Sequence, residues 1–256
     1  MNDIMLKAIW LSANMFGYEL IREALNIKEI KIIAIVTLSN KAKTKMYDGI
    51  DRNKWYEFGL PVYEIEDINK EVDLLKSLHP DIIIMCGWRQ IIHRIILDLP
   101  HLGVIGFHPA LLPKGRGPAP IINTILEGLK ESGVTMFYIS EKVDGGDIIG
   151  QEKFEVKDDD YAIDIYNKMI NAGKTLIKKY LPLLAIRKAP RIPQNEDEAT
   201  YFKKRSLKDN EIRIETDSPD EIYRKIRAFS KPYNGAFIRL GNKKLIIWKA
   251  ELRDFS

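Results

Sequence analysis

A histidine closing an apolar run and an aspartate in a glycine-rich turn frame the chemistry open to this chain. His108 ends the run 104–107, which reads as a buried strand, and a Pro- and Gly-rich loop, 109–120, follows it. A helix over 121–129 and a strand over 134–139 lead on to Asp144, in the turn Asp144-Gly145-Gly146-Asp147. An exposed histidine at a strand end can pass a proton near neutral pH or, when charged, stabilise an oxyanion. An adjacent carboxylate would orient the imidazole and favour its charged form. Read singly, both residues are ordinary: a lone histidine is more often structural, and Asp-Gly-Gly is common turn chemistry. They make a site only if the fold joins them. Between them, Lys114-Gly115-Arg116-Gly117 reads equally as a cradle for phosphate or carboxylate and as a plain basic loop.

The elements around this stretch must be strands that end where it begins. Residues 6–12, 31–38 and 81–86 are apolar runs of the kind buried on both faces of a sheet, and 60–65 is a shorter one. Helical segments over 18–25, 69–78 and 91–97 alternate with them. Such alternation implies an α/β, Rossmann-like, mostly parallel sheet, whose ligands bind beyond the carboxyl ends of the strands where the strand order reverses. After Asp147 come a strand, 148–156, three aspartates suited to a helix N-terminus, and a long helix from Tyr161 that ends near Pro182. Residues 1–187 then form the catalytic unit, and 188–200, KAPRIPQNEDEAT, read as a Pro- and acid-rich linker. Residues 201–256 form a short α+β appendage with one helix, 219–229, and a hairpin turning at Gly241-Asn242.

At 256 residues, 45% hydrophobic and 30% charged, the chain can bury a sizeable core. No apolar run reaches the roughly 20 residues that cross a bilayer, and the N-terminus lacks the pattern of a signal peptide. Cys86 is the sole cysteine, so no disulfide framework forms within one chain, and a reducing cytoplasm is the expected location. No zinc-type Cys/His spacing occurs, and no metal is expected. The net charge of +4 is uneven: residues 201–256 carry 14 Lys/Arg against 8 Asp/Glu, the rest 26 against 28. A basic tail attracts anionic partners, nucleotide phosphates and nucleic acid alike.

The run HPALLPKGRGPAPIINTILEGLKESGVT, followed by VDGGDIIGQ, resembles the active-site signature of the 10-formyltetrahydrofolate-dependent formyltransferases. PDIIIMCGWRQIIHRIILDLP resembles the strand and loop that line that family's folate pocket, and the tail resembles its linker and the start of its C-terminal domain. The resemblance covers about 80–252 and implies amine acyl transfer from 10-formyltetrahydrofolate. His108 and Asp144 would be catalytic, the histidine meeting the oxyanion and the aspartate orienting it. Trp88, Arg89, Gln90, Ile91, Ile92 and Val143 would, by that resemblance, hold the folate; Lys114 and Arg116, by their charge, would with Gly117 hold the pyrophosphate of an acceptor. One member of the implied trio is absent: the family's Asn, two residues before the histidine, is Gly106 here. Losing one such hydrogen-bond donor typically costs about a hundred- to a thousand-fold in rate.

The tail ends after a single hairpin and is only modestly basic, which favours a nucleotide-linked amino sugar as acceptor over methionyl-tRNA. A homodimer would pool two such tails into a larger basic surface. A formyltetrahydrofolate hydrolase, which would use the same constellation without an amine, is another reading, and a folate-binding protein without catalysis is the one Gly106 would support.

Overall fold

The computed structural model describes residues 5–44 and 46–254. The first four residues of the stretch inspected for a signal peptide lie outside it. Strands β1 (Leu6–Leu11), β2 (Ile30–Leu38), β3 (Val62–Ile65), β4 (Ile82–Met85), β5 (Val104–His108), β6 (Glu131–Tyr138) and β7 (Ile148–Glu155) form one sheet in the order β3-β2-β1-β4-β5-β6-β7. The first five are mutually parallel, while β6 and β7 run antiparallel to their neighbours. The short connection through the Asp144 turn permits antiparallel pairing, where a parallel step would need a crossover of a dozen or more residues.

Both faces of the sheet are covered, which is why β1, β2 and β4 are apolar almost throughout. On one face pack α1 (Met15–Ala24), α4 (Pro120–Leu126) and α5 (Ala162–Ala185), through residues such as Leu20, Ile125 and Leu176. On the other, α2 (Val72–Ser77) and α3 (Arg94–Leu97) contribute Leu75 and Ile96 against Ile9, Val36 and Ile83. Helix α5 passes through Pro182 and ends at Ala185, three residues beyond the stop expected there. A proline removes one helical hydrogen bond; buried Leu181 and Leu184 hold the last turn against the core all the same.

The tail is not an independent body. Helix α6 (Pro219–Phe229) places Ile226, Ala228 and Phe229 in the main core cluster, and Ala236 of β8 (Ala236–Leu240) joins them. Strand β9 (Lys243–Ile247) pairs with β8 around the expected turn. Buried Arg227 donates to the Asp160 carbonyl at 2.9 Å, tying α6 to the catalytic unit.

The strand order reverses between β1 and β4, so the crevice of this sheet opens beyond Leu11 and Met85, with His108 one strand further along. Asn14 caps α1 there, its Oδ1 accepting from the Gly17 N–H at 3.0 Å. Its amide lies so close to Gly87 that a Cβ at 87 would come within 2.1 Å of Nδ2. Gly87 also has φ +62°, and both facts demand glycine.

Candidate active site

His108 is the last residue of β5, paired with Thr135 of β6. It sits at the strand end as expected but is buried, 6% exposed, rather than open to solvent. Its Nε2 lies 2.7 Å from the Gly115 carbonyl. A carbonyl only accepts, so Nε2 carries a proton. Nδ1 is left facing Asp144, 3.6 Å from Oδ2. That is just beyond a direct hydrogen bond, and catalytic hydrogen bonds commonly tighten only when substrate is bound.

Asp144 is held from three sides. Its backbone adopts φ +50°, unusual for a residue with a side chain. Its Oδ2 accepts from the Gly117 N–H at 2.9 Å. Its carbonyl, with that of Gly146, accepts from Nε2 of Gln194 at 2.8 and 2.7 Å. Gly146 has to be glycine, since a Cβ there would sit 1.8 Å from the Tyr138 carbonyl oxygen.

The loop between the two residues hangs on buried polar groups. Thr135 Oγ1 donates to the Ala110 carbonyl at 2.6 Å and accepts from Leu112 N–H and Gln151 Nε2. Arg116 departs from the sequence reading. Its side chain is 0% exposed, and its guanidinium meets Gln194, Glu196 and the Tyr201 hydroxyl. Arg116 therefore offers no cation to a ligand, because its charge is spent inside the protein. Arg116 and Lys142 together hold the half-exposed Glu196 carboxyl down, to about 2. Gly117 likewise serves Asp144 rather than an acceptor. Lys114 is exposed and, among the described residues, meets no carboxylate.

The segment 88–92 divides. Gln90 is structural: it accepts from Ile68 N–H at 3.0 Å and donates to the Glu66 carbonyl at 2.7 Å. Arg89 turns to Asp48, 3.0 Å away. Ile92 is buried, while Ile91 and Val143 stand 78% and 59% exposed. The indole Nε1 of Trp88 is buried without a partner. Among the described residues, the backbone N–H groups from Trp88 to Ile92 also meet no acceptor. This stretch therefore presents unpaired donors next to the exposed side chain of Ile91.

The position of Gly106 is filled by a neighbour. Gly106 and His108, two apart on β5, share a face of the strand. A Cβ at 106 would lie 2.5 Å from Cδ1 of Ile139 and 3.5 Å from Cε of Met85. An apolar methyl thus occupies the space from which an asparagine side chain would start.

Beside the crevice, a cleft of about 630 Å³ is lined by Met15, Glu19, Tyr47, Asp48, Tyr166 and Asn167, among others. Asp48 is its hub: the carboxylate accepts from Asn14 at 2.9 Å, Tyr166 at 2.8 Å and Arg89 at 3.0 Å. Burial and the Asp48 charge push the Tyr166 phenol well above its ordinary value, so it remains a donor. Pro232, in the tail, closes one rim, and the neighbouring Tyr233 packs edge-on against Tyr47. Of this cluster the sequence reading singled out Arg89 alone, and as a folate contact rather than a partner of Asp48. Among the rest, only Asn14 carried a local signal, as a capping residue type before an apolar run.

A family model described as Formyl transferase matches residues 9–181, and one described as Formyl transferase, C-terminal domain, matches 205–256. The methionyl-tRNA formyltransferase of Kosmotoga olearia is 32% identical over 254 residues, covering 97% of this chain and 81% of its own. The bifunctional polymyxin resistance protein ArnA of Wigglesworthia glossinidia brevipalpis is 34% identical over 225 residues, 87% of this chain; the chain spans 34% of that relative's length. Among solved structures, a 4-N formyltransferase from Francisella tularensis superposes with a TM-score of 0.76 at 23% identity, covering 98% of this chain and 99% of its own. The N-formyltransferase of Helicobacter canadensis, in complex with folinic acid and dTDP-3-aminofucose, gives 0.70 at 21% identity, covering 95% and 87%.

Proposed function

Because this chain belongs to the formyl transferase family, we propose that it carries the formyl group of formyl-tetrahydrofolate to the amine of a nucleotide-linked amino sugar. The cleft beside Asn14 supports that acceptor. Its volume of about 630 Å³ suits a small molecule. The amides of Asn167 and Asn171 suit sugar hydroxyls, and Tyr47 lines the cleft where a base could lie. The tail helps to close this small cleft through Pro232. His108 ends β5, two strands from β1, a lateral step of about 10 Å. A nucleotide sugar is longer than that step.

Bound formyl-tetrahydrofolate supplies an electrophilic formyl carbon on a nitrogen leaving group. In this reading His108 keeps Nε2 on Gly115 and gives or takes a proton at Nδ1. Asp144, aimed by the Gly117 N–H, stabilises the charge on the ring. The segment 88–92 and Val143 bind the pterin. Adding 5-formyltetrahydrofolate is therefore expected to protect the amides of residues 88–92 in hydrogen exchange. Protection confined to another part of the molecule would move the pocket there.

A second reading has its own observation. A cleft of about 540 Å³ between α4, residues 203–213 and α6 is lined by Lys203, Lys204, Lys208, Arg213 and Arg224, among others. Such a surface would suit the phosphates of methionyl-tRNA. An acceptor screen separates the two. UDP-, dTDP- and GDP-linked amino sugars are offered beside charged initiator tRNA, with formate release followed in parallel. Turnover of an amino sugar is the expected result. Formylation of methionyl-tRNA alone would reassign the acceptor, and formate release without any acceptor would make the chain a hydrolase.

A further inference from the structure

The segment read as a linker, 188–200, lies across the active site and touches both halves of it. Ile192 exchanges hydrogen bonds with Ile148 at the start of β7, at 2.7 and 3.0 Å. Thr200 is bonded to the loop after His108: its Oγ1 accepts from Gly115 N–H at 2.8 Å, its carbonyl from Arg116 N–H at 2.9 Å, and its own N–H donates to Pro113 at 3.2 Å. Phe202 then donates its N–H to the Arg116 carbonyl at 2.8 Å. Its ring lies so close to Gly115 that a Cβ there would come within 2.5 Å of it. Gly115 is the residue whose carbonyl holds Nε2 of His108.

Gln194 lies between Ile192 and Thr200, half-buried in a stretch that is otherwise mostly exposed. Its Oε1 accepts from Nε and Nη2 of Arg116, at 3.1 and 2.7 Å. Its Nε2 donates to the carbonyls of Asp144 and Gly146. Guanidinium only donates and carbonyls only accept, so the amide can point only one way. All four of its hydrogen-bonding positions are used. One side chain thus joins the loop that carries the partner of His108 to the turn that carries Asp144.

We propose that Gln194 is a positioning residue, which acts through Asp144 to hold its carboxylate opposite Nδ1 of His108, with Arg116 as its anchor. This rests on the catalytic reading of His108 and Asp144. Gln194→Glu discriminates well, because the carboxylate keeps the bond to Arg116 but loses both donors and sets negative charge against the Asp144 and Gly146 carbonyls. Gln194→Ala removes both ends.

The test uses the full chain and whichever acceptor of the screen the wild type formylates. In both Gln194 variants, kcat is expected to fall about ten- to a hundred-fold, with KM for acceptor and folate within two-fold of wild type. Paired with Asp144→Asn, Gln194→Glu is expected to add less than a two-fold further loss, because its effect runs through the carboxylate already removed. Without any acceptor, hydrogen exchange at residues 143–147 is expected to rise at least ten-fold in Gln194→Glu while α5 is unchanged. An active Gln194→Glu, an equal fold-loss on the Asp144→Asn background, or unchanged exchange at 143–147 would each overturn the proposal. Wild-type turnover by Asp144→Asn alone would instead bring down the catalytic reading, and this inference with it.

Discussion

His108→Ala is expected to lower kcat by about a thousand-fold or more, while the protein still folds and binds a folate analogue. A positioned acid–base group contributes about a hundred- to ten-thousand-fold, and Nδ1 is the ring nitrogen left free by the bond to Gly115. The residue is buried, so some stability goes with it. The Gly115 carbonyl loses its partner, at a cost of about 1–3 kcal/mol. For a chain of this size that corresponds to a fall in Tm of roughly 2–12 °C, read by thermal unfolding beside the rate assay. Calorimetry with 5-formyltetrahydrofolate is expected to give a Kd within a few-fold of wild type. Turnover close to normal in this variant would make the histidine a packing residue.

Restoring an asparagine at position 106 is the second change with a large expected effect. Gly106→Asn alone meets Cδ1 of Ile139 at 2.5 Å. Overpacking of that kind costs about 1–3 kcal/mol, so the single variant is expected to melt lower. Ile139→Val removes the atom in question and by itself costs about 0.5–1.5 kcal/mol. Together the two changes are expected to be less destabilising than their separate effects added, because the second relieves the first. The new amide would share the strand face of His108 and offer a donor to the charge building on the formyl oxygen. On that basis kcat of the double variant is expected to rise about ten- to a hundred-fold. An unchanged kcat in a folded double variant would mean that another group already supplies the donor.

His108 and Asp144 could be paired from the sequence because chain order carries the information. A buried strand, a Pro- and Gly-rich loop and an antiparallel return place the end of one run beside the turn that ends the other. Arg116 was misread for a general reason: one sequence does not reveal whether an arginine in a glycine-rich loop faces solvent or is buried against partners from elsewhere in the chain. Its partners, Gln194, Glu196 and Tyr201, lie about eighty residues away in a stretch whose prolines and acidic residues look like a tether. The Asp48 cluster was hidden in the same way. Its members come from the end of β1, the loop after β2, the loop after β4 and the middle of α5, and only the folded sheet brings them to one place. At Gly106 the missing side chain was plain to see, but its replacement was not, because Ile139 reaches it from just beyond the end of the neighbouring strand.

The crossing of residues 192–202 over the site also imposes an order in time. A ribosome makes His108 and Asp144 well before Thr200. A nascent chain of 187 residues carries every strand of the main sheet, the side chains of His108 and Asp144 and the whole of α5. It has as yet no acceptor for the Gly115 N–H, no amide for the Asp144 and Gly146 carbonyls, and nothing opposite the Arg116 guanidinium. The hydrogen-bond partners that complete the site are therefore among the later residues to be made, those of 194–202.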